Sequence, residues 1–136
     1  MRLPFLALAL LTLSACAGSP SQRPQDDARH YTDAGYGLSA LMPIRVQGLS
    51  GGGSGPADER AYLDALQGPE GQTVTYEREG SCCGFESSNS PYGVGLLDMY
   101  RVTYRGAPAP VLLYLNMYDP ATRPLEAPSG FVLAGS

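Results

Sequence analysis

The sequence predicts a small α+β domain in which a mainly antiparallel sheet of four or five strands carries one helix on one face. Two segments, 73–79 and 96–105, alternate apolar and polar residues as half-buried strands do. One segment, 56–67, has the end signals and the apolar spacing of a helix. Short connections rich in Gly and Pro separate these segments, so we expect them to pack as layers of a single domain.

The domain is predicted to begin with a strand and a flexible loop. Residues 38–46 are rich in apolar residues, which favours a strand. Pro43 places this strand at a sheet edge or a bulge, because Pro lacks the amide proton that an inner strand donates. The Gly- and Ser-rich residues 50–55 that follow are typical of a flexible loop.

The helix is predicted over residues 56–67. Pro56 suits the first helical position, and the pair Gly68 and Pro69 ends the helix. Asp58 and Glu59 suit the positive N-terminal end of the helix dipole. We expect one stripe to face the sheet, composed of Ala57, Ala61, Tyr62, Ala65 and Leu66.

The remaining strands complete the predicted sheet. Residues 111–118 are apolar on both alternating phases, which indicates a central strand covered on both sides. Residues 106–110 join this strand to segment 96–105 as a hairpin connection. The short apolar stretch 130–133 either adds an edge strand or packs on the domain.

The N-terminus has the pattern of an exported lipoprotein. Arg2 and an apolar run from Phe5 precede the string Leu13-Ser14-Ala15-Cys16. This string resembles the lipobox of bacterial lipoproteins. The resemblance implies that residues 1–15 are a signal peptide and that Cys16 carries diacylglycerol and a fatty acyl group. No other cofactor is expected, and the sequence leaves a bound metal open. The alternative is an ordinary cleaved signal that leaves Cys16 as a free thiol.

The lipoprotein hypothesis divides the rest of the chain into two parts. Residues 16–34 hold few large apolar side chains after the lipidated Cys, so we expect a flexible tether. Residues 35–136 form the single α+β domain. Ala17, rather than Asp, follows Cys16, which in such lipoproteins implies sorting to the outer membrane. We therefore expect a membrane contact through the lipid anchor and a domain that faces the periplasm.

Charge and composition exclude several classes of function. The chain has nine Lys or Arg against thirteen Asp or Glu, and its net charge is -4. It has no basic stripe, so nucleic acid is not an expected partner. All nine cations are Arg, and His30 in the tether is the only His. A Schiff-base Lys and a P-loop Lys are therefore excluded.

The most unusual residues lie in segment 80–95, which contains Gly-Ser-Cys-Cys-Gly-Phe. It lacks a strand or helix pattern and predicts a loop of about 15 residues, a length associated with function. Neighbouring Cα atoms are about 3.8 Å apart, below the usual range for a disulfide, so a bond between Cys82 and Cys83 would be strained and easily reduced. Four interpretations stay open: two reduced thiols, a vicinal disulfide, a soft-metal site, and a redox or nucleophilic thiol.

A metal site at Cys82 and Cys83 needs further ligands. Two thiolates suit Cu(I) or Zn(II), but the domain has no His, so the other ligands would be Glu77, Glu79, Glu86 or Asp98. A loop pinned to the sheet brings the sulfur atoms near Glu79 and Asp98 in particular. Asp98 is also expected to point to the apolar side of the sheet, where it acts as a general base, as a cap, or as a partner of Arg78 or Arg101.

Aromatic and amide side chains complete the set of candidate site residues. Phe85 and Tyr92 are expected to pin the Cys82-Cys83 segment to the sheet. Asn116 and Tyr118 share one face of the last long strand, where a polar group marks either a binding position or a satisfied core amide. These four residues are the predicted binding positions.

Three strings carry a resemblance to a known family: residues 76–85, 95–104 and 113–119. They are similar to those of a family of small bacterial lipoproteins of unknown function, and the similarity covers about 57–119. Family members show Gly-Ser-Cys-Cys-Pro-Phe, whereas Gly84 stands here in place of that Pro. The segment is therefore expected to be less rigid than in those proteins.

Some members of that family carry the name 2-dehydro-3-deoxyphosphooctonate aldolase. That chemistry resembles the work of (β/α)₈ barrels, which need about 250 residues, so we expect no aldolase activity and transfer no catalytic residue. The sequence favours a non-catalytic binding or interaction module that acts on an envelope protein or a small ligand through Cys82 and Cys83. Thiol redox chemistry or soft-metal handling at the same pair is the alternative.

Overall fold

The computed structural model describes residues 35–52 and 55–135. The predicted signal peptide, the Cys16 lipidation site and the tether lie outside these residues. Within the described ranges, no helix is long and apolar enough to cross a membrane. The elements in chain order are β1 (Ile44–Arg45), α1 (Gly55–Ala65), β2 (Leu66–Gln67), β3 (Val74–Glu86), β4 (Val94–Tyr104), β5 (Val111–Asn116) and β6 (Val132–Leu133).

Four strands form the main sheet, in the order β1-β5-β4-β3. β3 and β4 make a long antiparallel hairpin, β4 pairs antiparallel with β5, and β1 runs parallel to β5. β2 and β6 form a separate antiparallel pair. One helix and a mainly antiparallel sheet confirm the predicted α+β class. β5 lies between two strands, as predicted for segment 111–118.

The apolar core lies between α1 and one face of the main sheet, which we call the core face. The buried stripe of α1 includes Glu59, Tyr62 and Leu63, at the spacing of one helical face. The predicted stripe was right for Tyr62 and Leu66, which are buried, and wrong for Ala57, Ala61 and Ala65, which are only half-buried. Leu63 buries more apolar area than an Ala does, so packing favours the rotated helix. The same cluster contains Ile44, Val46, Leu66, Tyr100, Val102, Leu113, Leu115 and Phe131.

Asp58 organises the loop before the helix as well as its first turn. Its carboxylate accepts hydrogen bonds from the backbone amides of Gly48, at 2.9 Å, and Ser50, at 2.7 Å. Burial disfavours the charged carboxylate, but the hydrogen bonds from Ser50 and Gly48 outweigh it, and the pKa of Asp58 is lowered. Asp58, which was predicted to interact with the N-terminal end of the helix dipole, therefore also stabilises the loop that precedes the helix.

The prediction of a long loop over residues 80–95 was wrong. β3 continues to Glu86 and β4 begins at Val94, so only residues 87–93 form the connection. The register of the hairpin shifts between Arg78 and Gly80, and again between Cys82 and Phe85. Each irregularity inserts unpaired residues in β3 and breaks the two-residue alternation, which hid the strand from the sequence pattern.

Two other strand predictions differ from the structure. Of segment 38–46, only Ile44–Arg45 is a strand, because residues 35–42 form turns in which Gly37 N donates to Met42 O at 2.7 Å. Along most of β5 only the core face is fully covered, since Leu113 and Leu115 are buried while Leu112 and Tyr114 are half-buried; Asn116 at its end is buried on the opposite face. The opposite face of the main sheet, which we call the open face, has no helix of the described residues packed on it.

Candidate functional site

The Sγ atoms of Cys82 and Cys83 are bonded to each other. Of the four interpretations of this pair, the structure therefore contains the vicinal disulfide. The two Cα atoms are 3.7 Å apart. Cys82 lies opposite Leu97 of β4, and Cys83 falls within the second register shift of the hairpin. Cys83 has a φ of 59°, a left-handed conformation that residues other than Gly rarely adopt. Cys83 is exposed and Cys82 is half-buried, so the disulfide reaches the surface.

The disulfide borders a depression on the open face of the sheet, which we call the disulfide groove. Its volume is about 440 Å³. Leu41, at 93% exposure, is the most exposed large apolar side chain of the described residues and forms part of its wall. Both apolar and polar residues line the groove: Ala40, Leu41, Pro43, Arg45, Cys83, Gly84, Phe85, Glu86, Leu97, Asn116 and Asp119.

Asn116 and Asp119 form a hydrogen-bonded polar wall of the groove. Asn116 Nδ2 donates to Asp119 Oδ2 at 3.0 Å, and Asn116 Oδ1 accepts from the amide of Tyr118 at 2.9 Å. Asp119 Oδ1 also accepts from Ser87 Oγ at 2.7 Å and from Asn89 Nδ2 at 2.9 Å. These contacts join the 87–93 connection to the end of β5. The side-chain amide of Asn116 is thus buried with its hydrogen bonds formed, and Asn116 also lines the groove.

The charge of Asp119 is stabilised by these neighbours. Burial disfavours the charged form, but hydrogen bonds from Ser87, Asn89 and Asn116 outweigh burial and lower the pKa of Asp119. Arg45 adds a smaller electrostatic contribution in the same direction. The carboxylate therefore belongs to the scaffold of the groove.

The predicted binding aromatics separate into two places. Phe85 lines the groove and packs edge-to-face against Tyr118, with ring centroids 6.1 Å apart. A Cβ atom on Gly95 would lie 2.6 Å from Phe85 Cζ and 2.7 Å from Tyr118 Cδ2, so only Gly allows this close packing. Tyr92, in contrast, lies in the 87–93 connection with 90% of its surface exposed and does not line the groove.

Asp98 and Glu79 do not join the disulfide. Asp98 is buried on the core face, where Arg78 donates to both carboxylate oxygens, from Nε at 2.8 Å and from Nη2 at 2.9 Å. Ser81 Oγ donates to Asp98 as well, at 2.6 Å. Glu79 forms an ion pair with Arg101. Of the described residues, no group of three or more His, Cys, Asp or Glu is placed to hold a metal ion.

The Arg78 partnership was one of the predicted roles of Asp98, and the structure confirms it. Burial disfavours the charge of Asp98, but the hydrogen bonds from Arg78 and Ser81 outweigh burial and lower its pKa. The carboxylate is therefore held in its charged form and lies on the opposite face of the sheet from the groove.

A buried carboxyl group next to Asp98 was missed by the sequence analysis. Glu59 of α1 is fully buried, and Tyr100 Oη donates to its Oε2 at 2.8 Å. Glu59 Oε1 has no hydrogen-bond donor within the described residues. Burial, with the nearby charge of Asp98, raises the pKa of Glu59 to about 7. The shared phase of Asp98 and Tyr100 on β4 was a signal for this cluster, but the helix phase was needed to add Glu59.

Comparison of the chain with protein-family models, with curated proteins and with solved structures found no match. The residues and geometry of the groove, together with the N-terminal sequence, are therefore the features that bear on function.

Proposed function

We propose that this protein is a lipid-anchored protein of the cell envelope that acts as a non-catalytic binding module, with its ligand in the disulfide groove. The observation that carries the proposal is the groove itself, a depression of about 440 Å³ beside Cys83. Exposed Leu41 and half-buried Phe85 offer apolar surface, while Arg45 and Asn116 offer polar groups. Apolar walls with a few polar groups are typical of small-ligand sites. The lipid at Cys16 would hold this site at a membrane.

The anchor is tested by Cys16→Ser, which removes the sulfur that carries the lipid. We expect the variant to be recovered as a soluble protein or as an unprocessed precursor, whereas the unchanged chain partitions into the membrane fraction. Fractionation with mass spectrometry of the N-terminus measures both outcomes. A variant that has a cleaved signal and still sediments with membranes would contradict the lipid anchor.

The groove is tested by Leu41→Asp, which puts a charge on its apolar wall. Tyr92→Asp is the matched control, since Tyr92 is exposed to nearly the same extent, at 90%, but does not line the groove. Both changes are at exposed positions, so both variants are expected to keep their stability within about 0.5 kcal/mol. We expect only Leu41→Asp to fail to complement a deletion of the gene. Equal complementation by both variants would contradict a function at the groove.

The disulfide is expected to shape the groove rather than to stabilise the whole domain. A bond between adjacent residues closes the shortest possible loop, and the chain-entropy relation then gives only about 1 kcal/mol. We expect the double variant Cys82→Ser with Cys83→Ser to keep nearly the same midpoint of thermal unfolding and to lose complementation. Full complementation combined with a much lower midpoint would instead identify the disulfide as a structural staple.

Thiol redox chemistry is the second candidate function, and the exposure of Cys83 is the observation that favours it. A thiolate of an external dithiol would attack one sulfur of the pair, and the other would leave as a thiolate. The second thiol of the dithiol, once deprotonated, would then attack the mixed disulfide and release the first Cys sulfur as a thiolate, so that the dithiol is oxidised to a disulfide and the Cys pair is reduced. Native mass spectrometry with and without thiol alkylation separates the two candidates. An oxidised pair that survives mild reduction without bound metal favours the binding module. Free thiols favour the redox or soft-metal alternative.

A further inference from the structure

A turn at the start of the described domain holds Leu41 out in solvent. The amide of Gly37 donates to the carbonyl oxygen of Met42 at 2.7 Å, so residues 38–41 form a closed loop between them. The carbonyl oxygen of Gly37 accepts a hydrogen bond from the amide of Tyr114 at 2.9 Å, which ties this loop to β5. We call residues 38–41 the Leu41 turn. The fold thus fixes a large apolar side chain, 93% exposed, on a loop held by the sheet.

Cations lie beside this turn. A depression of about 210 Å³ adjoins it, and Leu41, Pro43 and Arg45 line both this depression and the disulfide groove. Two of the six Arg in the described ranges, Arg45 and Arg123, line the depression, whereas none of the ten Asp and Glu of these ranges does. Arg123 also stacks on the ring of Tyr36, with its Cζ 4.9 Å from the ring centroid. The surface beside Leu41 is therefore cationic.

Two acids reduce this positive charge without removing it. Glu126 forms an ion pair with Arg123 at 3.5 Å, and both side chains remain partly exposed. Asp119 is close enough to Arg45 for an electrostatic interaction, but its carboxylate accepts its hydrogen bonds from three other side chains. Arg45 is exposed and, within the described ranges, forms no ion pair or hydrogen bond. Its guanidinium is therefore available to an external anion.

The chain enters the domain at the same place. The predicted tether, residues 16–34, joins the domain at Gly35, whose carbonyl oxygen accepts a hydrogen bond from the amide of Leu38 at 3.0 Å. The Leu41 turn is thus next to the point at which the domain would be attached to the membrane. Nineteen fully extended residues span about 60 Å, so the tether allows this turn to reach the membrane but does not impose the contact. The surface of the domain decides which face meets the lipid.

We propose that the Leu41 turn docks on an anionic phospholipid surface, the membrane in which the lipid at Cys16 is anchored. Leu41 enters the headgroup region, and Arg45 and Arg123 lie against the lipid phosphates. An exposed apolar side chain suits the first contact, and cations beside it suit an anionic bilayer. This inference rests on the proposed lipid anchor and adds the orientation of the domain. The disulfide groove, which shares Leu41 with this turn, then opens at the membrane surface.

The test uses fluorescence, because the chain has no Trp and one substitution gives a single indole reporter. The full mature lipoprotein with Leu41→Trp is reconstituted in vesicles of phosphatidylcholine, with or without an equal amount of phosphatidylglycerol. A parallel set of vesicles carries bromine, which quenches indole, on the acyl chains.

Ala109→Trp is the matched control, since Ala109 is exposed and lies in the connection before β5, whereas Arg45 pairs with the last residue of β5. Both substitutions are at exposed positions and are expected to leave the fold intact. Arg45→Gln and Arg105→Gln are then compared in the Leu41→Trp chain, because Arg105 is exposed and does not line the depression.

We expect the indole of Leu41→Trp to emit at shorter wavelength in vesicles with phosphatidylglycerol and to be quenched by the brominated lipid. Ala109→Trp should keep the emission of an indole in water, although the same lipid anchors it. Arg45→Gln should lower the ratio of docked to undocked domain about fivefold, the factor expected for one cation near an anionic surface. Arg105→Gln should leave this ratio unchanged, and added salt should lower it because salt screens the attraction.

Three results would overturn the proposal: no quenching of Leu41→Trp, equal quenching of Leu41→Trp and Ala109→Trp, or equal effects of Arg45→Gln and Arg105→Gln. Emission that shifts to shorter wavelength without quenching would also overturn it, because a second copy of the chain would then cover Leu41. If the protein sediments with the vesicles in any of these cases, the lipid anchor stands and only the orientation is wrong. Protein that stays in solution would reject the anchor as well. The double variant Cys82→Ser with Cys83→Ser tests the groove independently of this face.

Discussion

Replacing Leu115 or Leu113 of β5 with Ala is expected to lower the free energy of unfolding by about 2–5 kcal/mol. Both side chains are fully buried on the core face, opposite Asp98 and Tyr100 of β4. Truncation removes apolar contacts and leaves a cavity, because a strand held on both sides cannot collapse into the space. Small domains have a total stability of this order, so the effect is large. Urea denaturation, fitted with a common dependence on urea concentration, measures it.

Leu41→Ala is the control for these truncations, because it removes the same atoms from a side chain that is 93% exposed. We expect a change within about 0.5 kcal/mol for this variant. We also expect the backbone amides of β5 to be among the slowest to exchange with solvent, since β5 lies inside the sheet. A loss below about 1 kcal/mol for both buried Leu variants, or fast exchange along β5, would contradict its role as the centre of the core.

The order of the elements was predictable because each has a strong local pattern. The helix has Pro near its start and Gly and Pro after its end, and segment 111–118 has no polar phase until Asn116. The phase of the helix was not predictable from its pattern, since three Ala and few large apolar residues make several stripes nearly equivalent. Contacts with the sheet decide between them, and these bring Leu63 and Glu59 inside.

The candidate site was predictable in its centre but not in its surroundings. The Cys82-Cys83 pair marked the segment, and Phe85 and Asn116 both line the groove beside it. The register shift between Arg78 and Gly80 pairs Cys82 with Leu97, on the face of the sheet away from Asp98, which no count of residues along the chain reveals. Leu41 and Arg45 were missed because their place in the groove depends on the pairing of β1 with β5.

The second large effect concerns pH: we expect the unchanged protein to become less stable as the pH rises from about 4.5 to about 8. Burial raises the pKa of Glu59 from the ordinary 4.5 to about 7. The folded state therefore binds a proton in this interval that the unfolded chain releases, and the free energy of unfolding decreases as the pH rises. The loss from this one carboxyl group is about 3 kcal/mol.

The neighbours of Glu59 explain why stability decreases as the pH rises and why the proton lies on Glu59. Tyr100 donates to Oε2, and a proton on Glu59 can be shared in a hydrogen bond with Asp98. Arg78 holds Asp98 in its charged form, so the proton stays on Glu59. Below pH 4 the sign reverses, because acids with a lowered pKa, Asp98 and Asp119 among them, lose their stabilising contribution when they are protonated. Maximum stability is therefore expected in mildly acid solution.

Glu59→Gln tests this account, because an amide has nearly the shape of a protonated carboxyl group and does not titrate. Its oxygen can accept the hydrogen bond from Tyr100, and its nitrogen can donate to Asp98. We expect stability close to that of the unchanged protein near pH 4.5, and higher by about 3 kcal/mol near pH 8. Glu70→Gln, at an exposed position, should keep the original pH dependence. If urea denaturation gives the same decline from pH 4.5 to 8 in Glu59→Gln, the buried proton lies on another group, and the assignment to Glu59 is wrong.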